Sequence, residues 1–255
     1  MKMRIQDFLR DLAREGEIFT VEDVYRITGI DKAYLRKLLY RLEKRGIIER
    51  MERGKYLLIP LHGEKGKYTI HEFVIGSVLV QPYAIAYWSA LHHYGLTEQI
   101  PRVVFIQTTS WKRKQELDVL GFKFKIVRVV DRKFFGFQRE WIEEAQIYIT
   151  DKEKTIVDCL DKPQYCGGIV EVAKALRYRK FSEERLSRYA VRIGNSGVLR
   201  RLGYLCDQLG IKVRLPKVDI RNYLYLDPSM PKKGKKNSKW RLIINLDEKV
   251  LKDLE

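Results

Sequence analysis

The sequence predicts an α+β fold in two parts: a small N-terminal unit of helices closed by a β-hairpin, then a larger mixed α/β domain. Three observations carry this. Apolar residues recur at helical spacing through roughly the first 45 residues. Two short β-rich runs, "IIERM" and "KYLLI", then flank Glu52-Arg53-Gly54 as strand, turn and strand. Beyond Pro60 the Gly/Lys-rich "LHGEKGK" breaks the pattern, and strand-like and helix-like segments mix from there on. The boundary is expected near residue 66, giving units 1–66 and 67–255.

In order along the chain, Ile5, Phe8, Leu9, Leu12 and Ala13 form the apolar stripe of a first helix that Gly16 ends. Thr20 caps a short second helix bearing Val21, Val24 and Tyr25, which Gly29 closes. Asp31 caps a third, whose Leu35, Leu38, Leu39 and Leu42 fall at i, i+3, i+4 and i+7, with Gly46 at its end. Three helices followed by a hairpin is the order of a winged helix-turn-helix. In the larger domain, helices are expected near 70–80 and 84–93, a strand at 102–108, a polar helix near 112–120, and strands at 122–130 and 142–149. "TDKEKTIVDCL" reads as a helix with Thr150 and Glu153 as a capping box, because Ile156, Val157 and Leu160 follow as its apolar face. Residues 163–168 form a loop; helices near 169–179, 182–193 and 196–209 precede strands near 222–226 and 239–246.

Charge gives the first functional direction. Fifty Lys and Arg against 33 Asp and Glu leave a formal charge of +17, which favours an anionic partner, most simply nucleic acid. Residues 1–60 hold 14 basic and 10 acidic side chains, and residues 31–45 alone hold six and two, so the excess of this unit lies on the third helix. With the leucines turned inward, a 100° step places Ala33, Lys37, Tyr40 and Lys44 on the opposite face. Lys32, Arg36 and Arg41 flank that face, and Arg53 sits on the tip of the wing. This is the pattern of a recognition helix for duplex DNA. Three widely spaced cysteines, Cys159, Cys166 and Cys206, form neither a disulfide framework nor a zinc ribbon, so a reducing, cytoplasmic setting is expected. The uncharged run from Phe73 to Leu91 approaches membrane-spanning length, but Gln81-Pro82 divides it and Tyr, Trp and Ser interrupt its second half, so two buried helices are expected instead.

Four later segments resemble, in order, those of AbiEi antitoxins of type IV abortive-infection toxin-antitoxin systems. They are "AYWSALHHYGLTEQIPR" (86–102), "ITDKEKTIVDCLDKPQYCGG" (149–168), "LRRLGYLCDQLG" (199–210) and "YLDPSMPKKGKKNSKWRLIIN" (225–245). The resemblance implies a winged helix-turn-helix followed by an antitoxin domain. It also implies a repressor of its own operon, binding an operator that usually contains inverted repeats, and neutralisation of a nucleotidyltransferase-like toxin, by direct contact or indirectly.

The run "KKGKKNSKWR" supplies a second basic surface of Lys232, Lys233, Lys235, Lys236, Lys239 and Arg241. It reads either as a track for a phosphate backbone with Trp240 available to stack, or as a solvated hairpin whose Trp240 begins a strand and packs in the core. Asp151, Glu153 and Lys154 are the residue types of a nuclease site, but Glu153 and Lys154 are adjacent and cannot alternate on a strand toward one metal. His92 and His93 are adjacent as well and lack a Cys or His partner at ligand spacing. With neither a GxxxxGK loop nor the carboxylate pair of a nucleotidyltransferase after Gly76-Ser77, no catalytic residue, metal or cofactor is expected. Two other readings stay open: a nuclease or nucleic-acid-processing enzyme with a winged-helix targeting domain, and a metabolite-responsive regulator with an apolar pocket in residues 67–255.

Overall fold

The computed structural model describes residues 17–59, 70–217, 219–247 and 250–251. The expected first helix and the boundary near residue 66 lie outside these residues. The chain divides into two compact units, Met1–Leu79 with Asp118–Phe122, and Val80–Leu117 with Lys123–Glu255. The fold is mixed α+β, with helices and strands in the first unit arranged as a winged helix-turn-helix.

In the first unit, strand β1 (Ile18–Thr20) leads into helices α1 (Val21–Thr28) and α2 (Lys32–Lys44), then strands β2 (Ile48–Glu52) and β3 (Lys55–Leu58) and helix α3 (Glu72–Leu79). The strands form an antiparallel sheet in the order β1-β3-β2. Local chemistry sets the helix ends as expected. Thr20 Oγ1 accepts from the Asp23 amide at 3.1 Å while the Asp23 carboxylate accepts from the Thr20 amide at 2.9 Å, a reciprocal capping box. Gly29 adopts φ +61°, the left-handed conformation that closes α1, and its amide donates to the Tyr25 carbonyl. Asp31 accepts from the Ala33 and Tyr34 amides at the start of α2. Phe19, Val24, Leu35, Leu38, Leu39, Leu42, Ile48 and Tyr56 make the core, so the leucine stripe of α2 faces inward.

A six-stranded mixed sheet in the order β6-β7-β5-β4-β9-β8 lies mostly in residues of the larger unit. Its strands are β4 (Ala84–Ile85), β5 (Val103–Thr108), β6 (Glu116–Val119), β7 (Phe122–Arg128), β8 (Phe137–Ile142) and β9 (Ala145–Thr150). β5 and β7 are parallel, and β4 pairs antiparallel with β5 but parallel with β9. Helices α4 (Tyr87–His93), α5 (Lys152–Asp161), α6 (Ile169–Arg177), α7 (Glu183–Arg192) and α8 (Ser196–Leu209) supply much of the remaining core. A small second sheet, β10-β12-β11, comprises β10 (Leu224–Tyr225), β11 (Lys235–Asn237) and β12 (Leu242–Ile244).

Several expectations are corrected. The polar helix near 112–120 is absent: Glu116–Val119 is a strand, because Leu120 and Gly121 take φ +52° and +82° and turn the chain into a hairpin with β7. Ladder pairing with the next strand overrides the helix propensity of a Lys/Glu/Leu-rich window. Ala84 and Ile85 belong to a strand rather than to the helix that begins at Tyr87, and β8 precedes the strand expected near 142–149. The cap of α5 is Asp151, whose carboxylate accepts from the Lys154 amide at 2.8 Å. Thr150 ends β9, with its hydroxyl 2.8 Å from that of Thr155, and Glu153 reaches out to the Ser182 amide at 2.6 Å. The box is therefore shifted by one residue, since pairing of Thr150 with Phe137 keeps it in the sheet.

Candidate nucleic-acid interface

Helix α2 presents opposite faces of opposite character. Leu35, Leu38, Leu39 and Leu42 are buried, whereas Lys32, Ala33, Arg36, Lys37, Tyr40, Arg41 and Lys44 are all exposed. Four apolar anchors on one side fix the roll of the helix and leave the cationic side no route inward. Among the described residues, Arg36, Lys37 and Arg41 have no ion-pair partner, so their charge is not spent internally. Lys32 is held by Glu22 at 2.7 Å and lies 5.1 Å from the Tyr25 ring centroid, while Lys44 lies 5.7 Å from that of Tyr40. The wing is tied to the same unit: the Val21 amide donates to the Gly54 carbonyl at 3.0 Å, and Gly54 at φ +78° makes the turn that leaves Arg53 exposed. Tyr34, 56% exposed beside the cap of α2, and Tyr25, 45% exposed on α1, extend this surface. Helical spacing alone did not single them out, although large exposed aromatics beside cations are the signal that finds them.

The second basic surface is divided by the structure. Lys232, Lys233, Lys235, Lys236, Lys239 and Arg241 are all exposed. Lys239, however, is paired with Asp207 at 2.6 Å, and Trp240 Nε1 donates to the same carboxylate at 2.6 Å. The indole packs against α8 at Gly203, where a Cβ would lie 2.1 Å from the nearest ring carbon. Trp240 is thus a packing residue in the β11–β12 turn and is withdrawn from any stacking role. Gly234 permits the close approach of the lysine run to β12, since a Cβ there would lie 2.0 Å from the Ile244 carbonyl oxygen. Lys236 and Arg241 both lie over Tyr223, at 5.4 and 5.6 Å from its centroid. Beneath them Arg200, 2% exposed, donates to the Asn222 and Arg241 carbonyls, and Arg201 donates to the Leu226 and Leu160 carbonyls. These two buried guanidinium groups fasten the small sheet to α8.

The acidic cluster at α5 is used structurally. Asp151 caps the helix and accepts from Tyr189 Oη at 3.0 Å; burial pushes its carboxyl above the usual carboxylate range. Glu153 accepts from the Ser182 amide and pairs with Arg185 at 3.5 Å. Lys154 is fully buried, paired with Asp158 and 3.3 Å from Gln107 Oε1. The three side chains are spent on three different sets of partners. Lys133 of the Asp131-Arg132-Lys133 match pairs with Asp161 at 2.6 Å. Among the described residues there is no cluster of three His, Cys, Asp or Glu side chains able to hold a metal. His92 is exposed and His93 half-buried, and all three cysteines are free and buried, with burial raising the Cys206 thiol to about 12. No helix among the described residues is long and apolar enough to cross a membrane.

Comparison with known proteins places this geometry. Across 95% of this chain and 91% of that one, the fold is similar to the crystal structure of the RV2827C protein from Mycobacterium tuberculosis, with a TM-score of 0.66 and 17% sequence identity. At that identity the likeness is one of fold. No curated protein matches the chain. Residues 7–59, which include the capped helices, the basic face and the wing, match the model of the family described as "Transcriptional regulator, AbiEi antitoxin". The resemblance to AbiEi antitoxins carried by segments between Ala86 and Asn245 is therefore met, in a different part of the chain, by a match of residues 7–59 to the AbiEi antitoxin family of transcriptional regulators.

Proposed function

We propose that the chain is a non-enzymatic, DNA-binding repressor and antitoxin that binds the operator of its own operon and neutralises a nucleotidyltransferase-like toxin. The observation that carries this reading is the exposed cationic face of α2 opposite a buried leucine stripe, on which Arg36, Lys37 and Arg41 have no ion-pair partner among the described residues, with Arg53 on a wing tied to the same unit. Lys37 and Tyr40 stand where base edges come within reach, while Arg36, Arg41, Lys44 and Arg53 are placed for phosphates. Lys32 and Ala33 sit at the N-terminal end of the helix, the end that enters the groove in helix-turn-helix proteins. The match to a family of transcriptional regulators and antitoxins supports the assignment. The division of labour follows the chain: residues 1–66 bind DNA, and residues 67–255 form the antitoxin domain, with Lys232, Lys233, Lys235, Lys236 and Arg241 as its contact surface toward the toxin or its substrate. Lys239 belongs to this surface by position but is occupied by Asp207. The setting is the cytoplasm.

Separation of function tests the division. Each variant is co-expressed with the toxin encoded beside this gene, and growth is measured alongside activity of the operon's promoter. Arg36→Ala, Lys37→Ala and Arg41→Ala together should abolish repression and spare rescue. Lys232→Glu, Lys233→Glu, Lys235→Glu and Lys236→Glu together should weaken rescue and spare repression. Loss of both activities from the first variant while it remains folded would contradict the division.

A further inference from the structure

We infer that the loop at residues 109–114 is a contact site for single-stranded nucleic acid, with Trp111 as the platform for one unpaired base. The loop reads Thr-Ser-Trp-Lys-Arg-Lys, and from Thr108 to Gln115 it contains no acidic residue. Trp111 is 71% exposed at the C-terminal end of β5, where Arg113, Lys114 and Arg128 are exposed as well. Among the described residues neither Arg113 nor Lys114 has an ion-pair partner. The nearest carboxylate along the chain, Glu116, is already held by Lys125 at 2.8 Å.

The base of the loop is fastened at several points. Thr108 Oγ1 donates to the Pro82 carbonyl and Ser110 Oγ to the Gln81 carbonyl. The Ser110 amide donates to Thr108 Oγ1 at 3.1 Å, Arg128 Nε to the Thr109 carbonyl at 3.1 Å, and the Ile126 amide to the Gln115 carbonyl at 2.7 Å. Those bonds fix where the indole leaves the sheet. A lone exposed tryptophan is unremarkable by itself. One that shares an anchored loop with Arg113 and Lys114, both without an ion-pair partner among the described residues, has the two elements that unpaired strands require: a flat apolar face for the base and positive charge for the adjoining phosphates. In a duplex the base faces are covered by their neighbours, so the indole has nothing to stack on; an unpaired strand leaves them open. Neither element depends on the 2′-hydroxyl, so unpaired DNA and RNA share the site. A lipid surface fits less well, because no other residue of the loop is apolar enough to accompany Trp111 into an interface. This site is separate from α2 and does not rest on the repressor assignment.

The test uses the full chain carrying Arg36→Ala, Lys37→Ala and Arg41→Ala, so that the basic helix contributes little. Affinity for fluorescein-labelled oligo(dT), oligo(U) and a duplex of equal length is measured by anisotropy. Trp111→Ala should weaken binding of at least one single strand about tenfold, and Trp111→Phe should retain most of it. Arg113→Ala and Lys114→Ala should each flatten the slope of log K against log salt by about 0.7, the value for one phosphate on a single strand. Duplex binding should be unchanged by Trp111→Ala. The inference is overturned if Trp111→Ala leaves single-strand affinity intact, or if it weakens duplex and single strand equally. It is equally overturned if Trp111-dependent binding is seen only with anionic vesicles or an acidic peptide.

Discussion

Asp151 carries two duties at one position, capping α5 and accepting from Tyr189 Oη, and its removal should register directly in stability. Asp151→Ala should cost about 1 kcal/mol for the lost cap, measured by urea unfolding, whereas Asp151→Asn keeps a capping oxygen and should cost little. Because burial raises the native carboxyl above its unfolded value, the folded state binds the proton more tightly. That contribution is fully present below the unfolded value and is lost as pH rises through the native one. Asp151→Asn should remove this dependence, and an unchanged pH profile would refute the assignment. The buried pair nearby gives a second test. Lys154→Met strands the Asp158 carboxylate in the core and should destabilise by about 3–5 kcal/mol, while adding Asp158→Leu should recover most of the loss. No recovery would mean that the pair contributes net stability. The capped start of α5 was legible in the sequence to within one residue, since caps are local. The Lys154 network was not, because Gln107 lies 47 residues away and only the folded sheet brings it near.

At the scale of elements, the same contrast separates α2 from the β6 hairpin. The leucine spacing of α2, its Asp31 cap and its basic face all lie within one short window, so sequence alone places its residues on the correct sides. Glu116–Val119 becomes a strand through its partner β7, information that no window of helix formers contains. Trp240 illustrates the point for the site. Read in sequence it could either stack on a base beside the basic run or pack in the core, and the fold takes the second course, laying it over Gly203 and handing its N–H to Asp207. Gly203→Ala should therefore destabilise by about 1–3 kcal/mol through overpacking. Combined with Trp240→Leu, the total cost should be smaller than the sum of the two single changes, as contacting residues couple. Strict additivity in urea unfolding would show that the indole does not rest on the helix as described.

For the whole molecule, the large positive charge is proposed to act through separate surfaces rather than as a diffuse field. A net charge of +17 by itself draws any polyanion. Under this proposal the exposed face of α2 has a geometry that a diffuse field lacks, since its roll is fixed by four buried leucines and Arg36, Lys37 and Arg41 have no ion-pair partner among the described residues. These properties were legible early because they depend on helix periodicity, while the Trp111 loop became visible only once its exposure and anchors were known. The claim that this face binds the operator is tested most directly by titrating a duplex from the chain's own promoter region with the full-length protein at several salt concentrations. The wild type is compared with the triple variant Arg36→Ala, Lys37→Ala and Arg41→Ala. The account predicts a steep slope of log K against log salt that flattens by about 0.9 for each phosphate contact removed, with unfolding unchanged to within about 0.5 kcal/mol per site. An equal slope and equal affinity in the two folded proteins would contradict it.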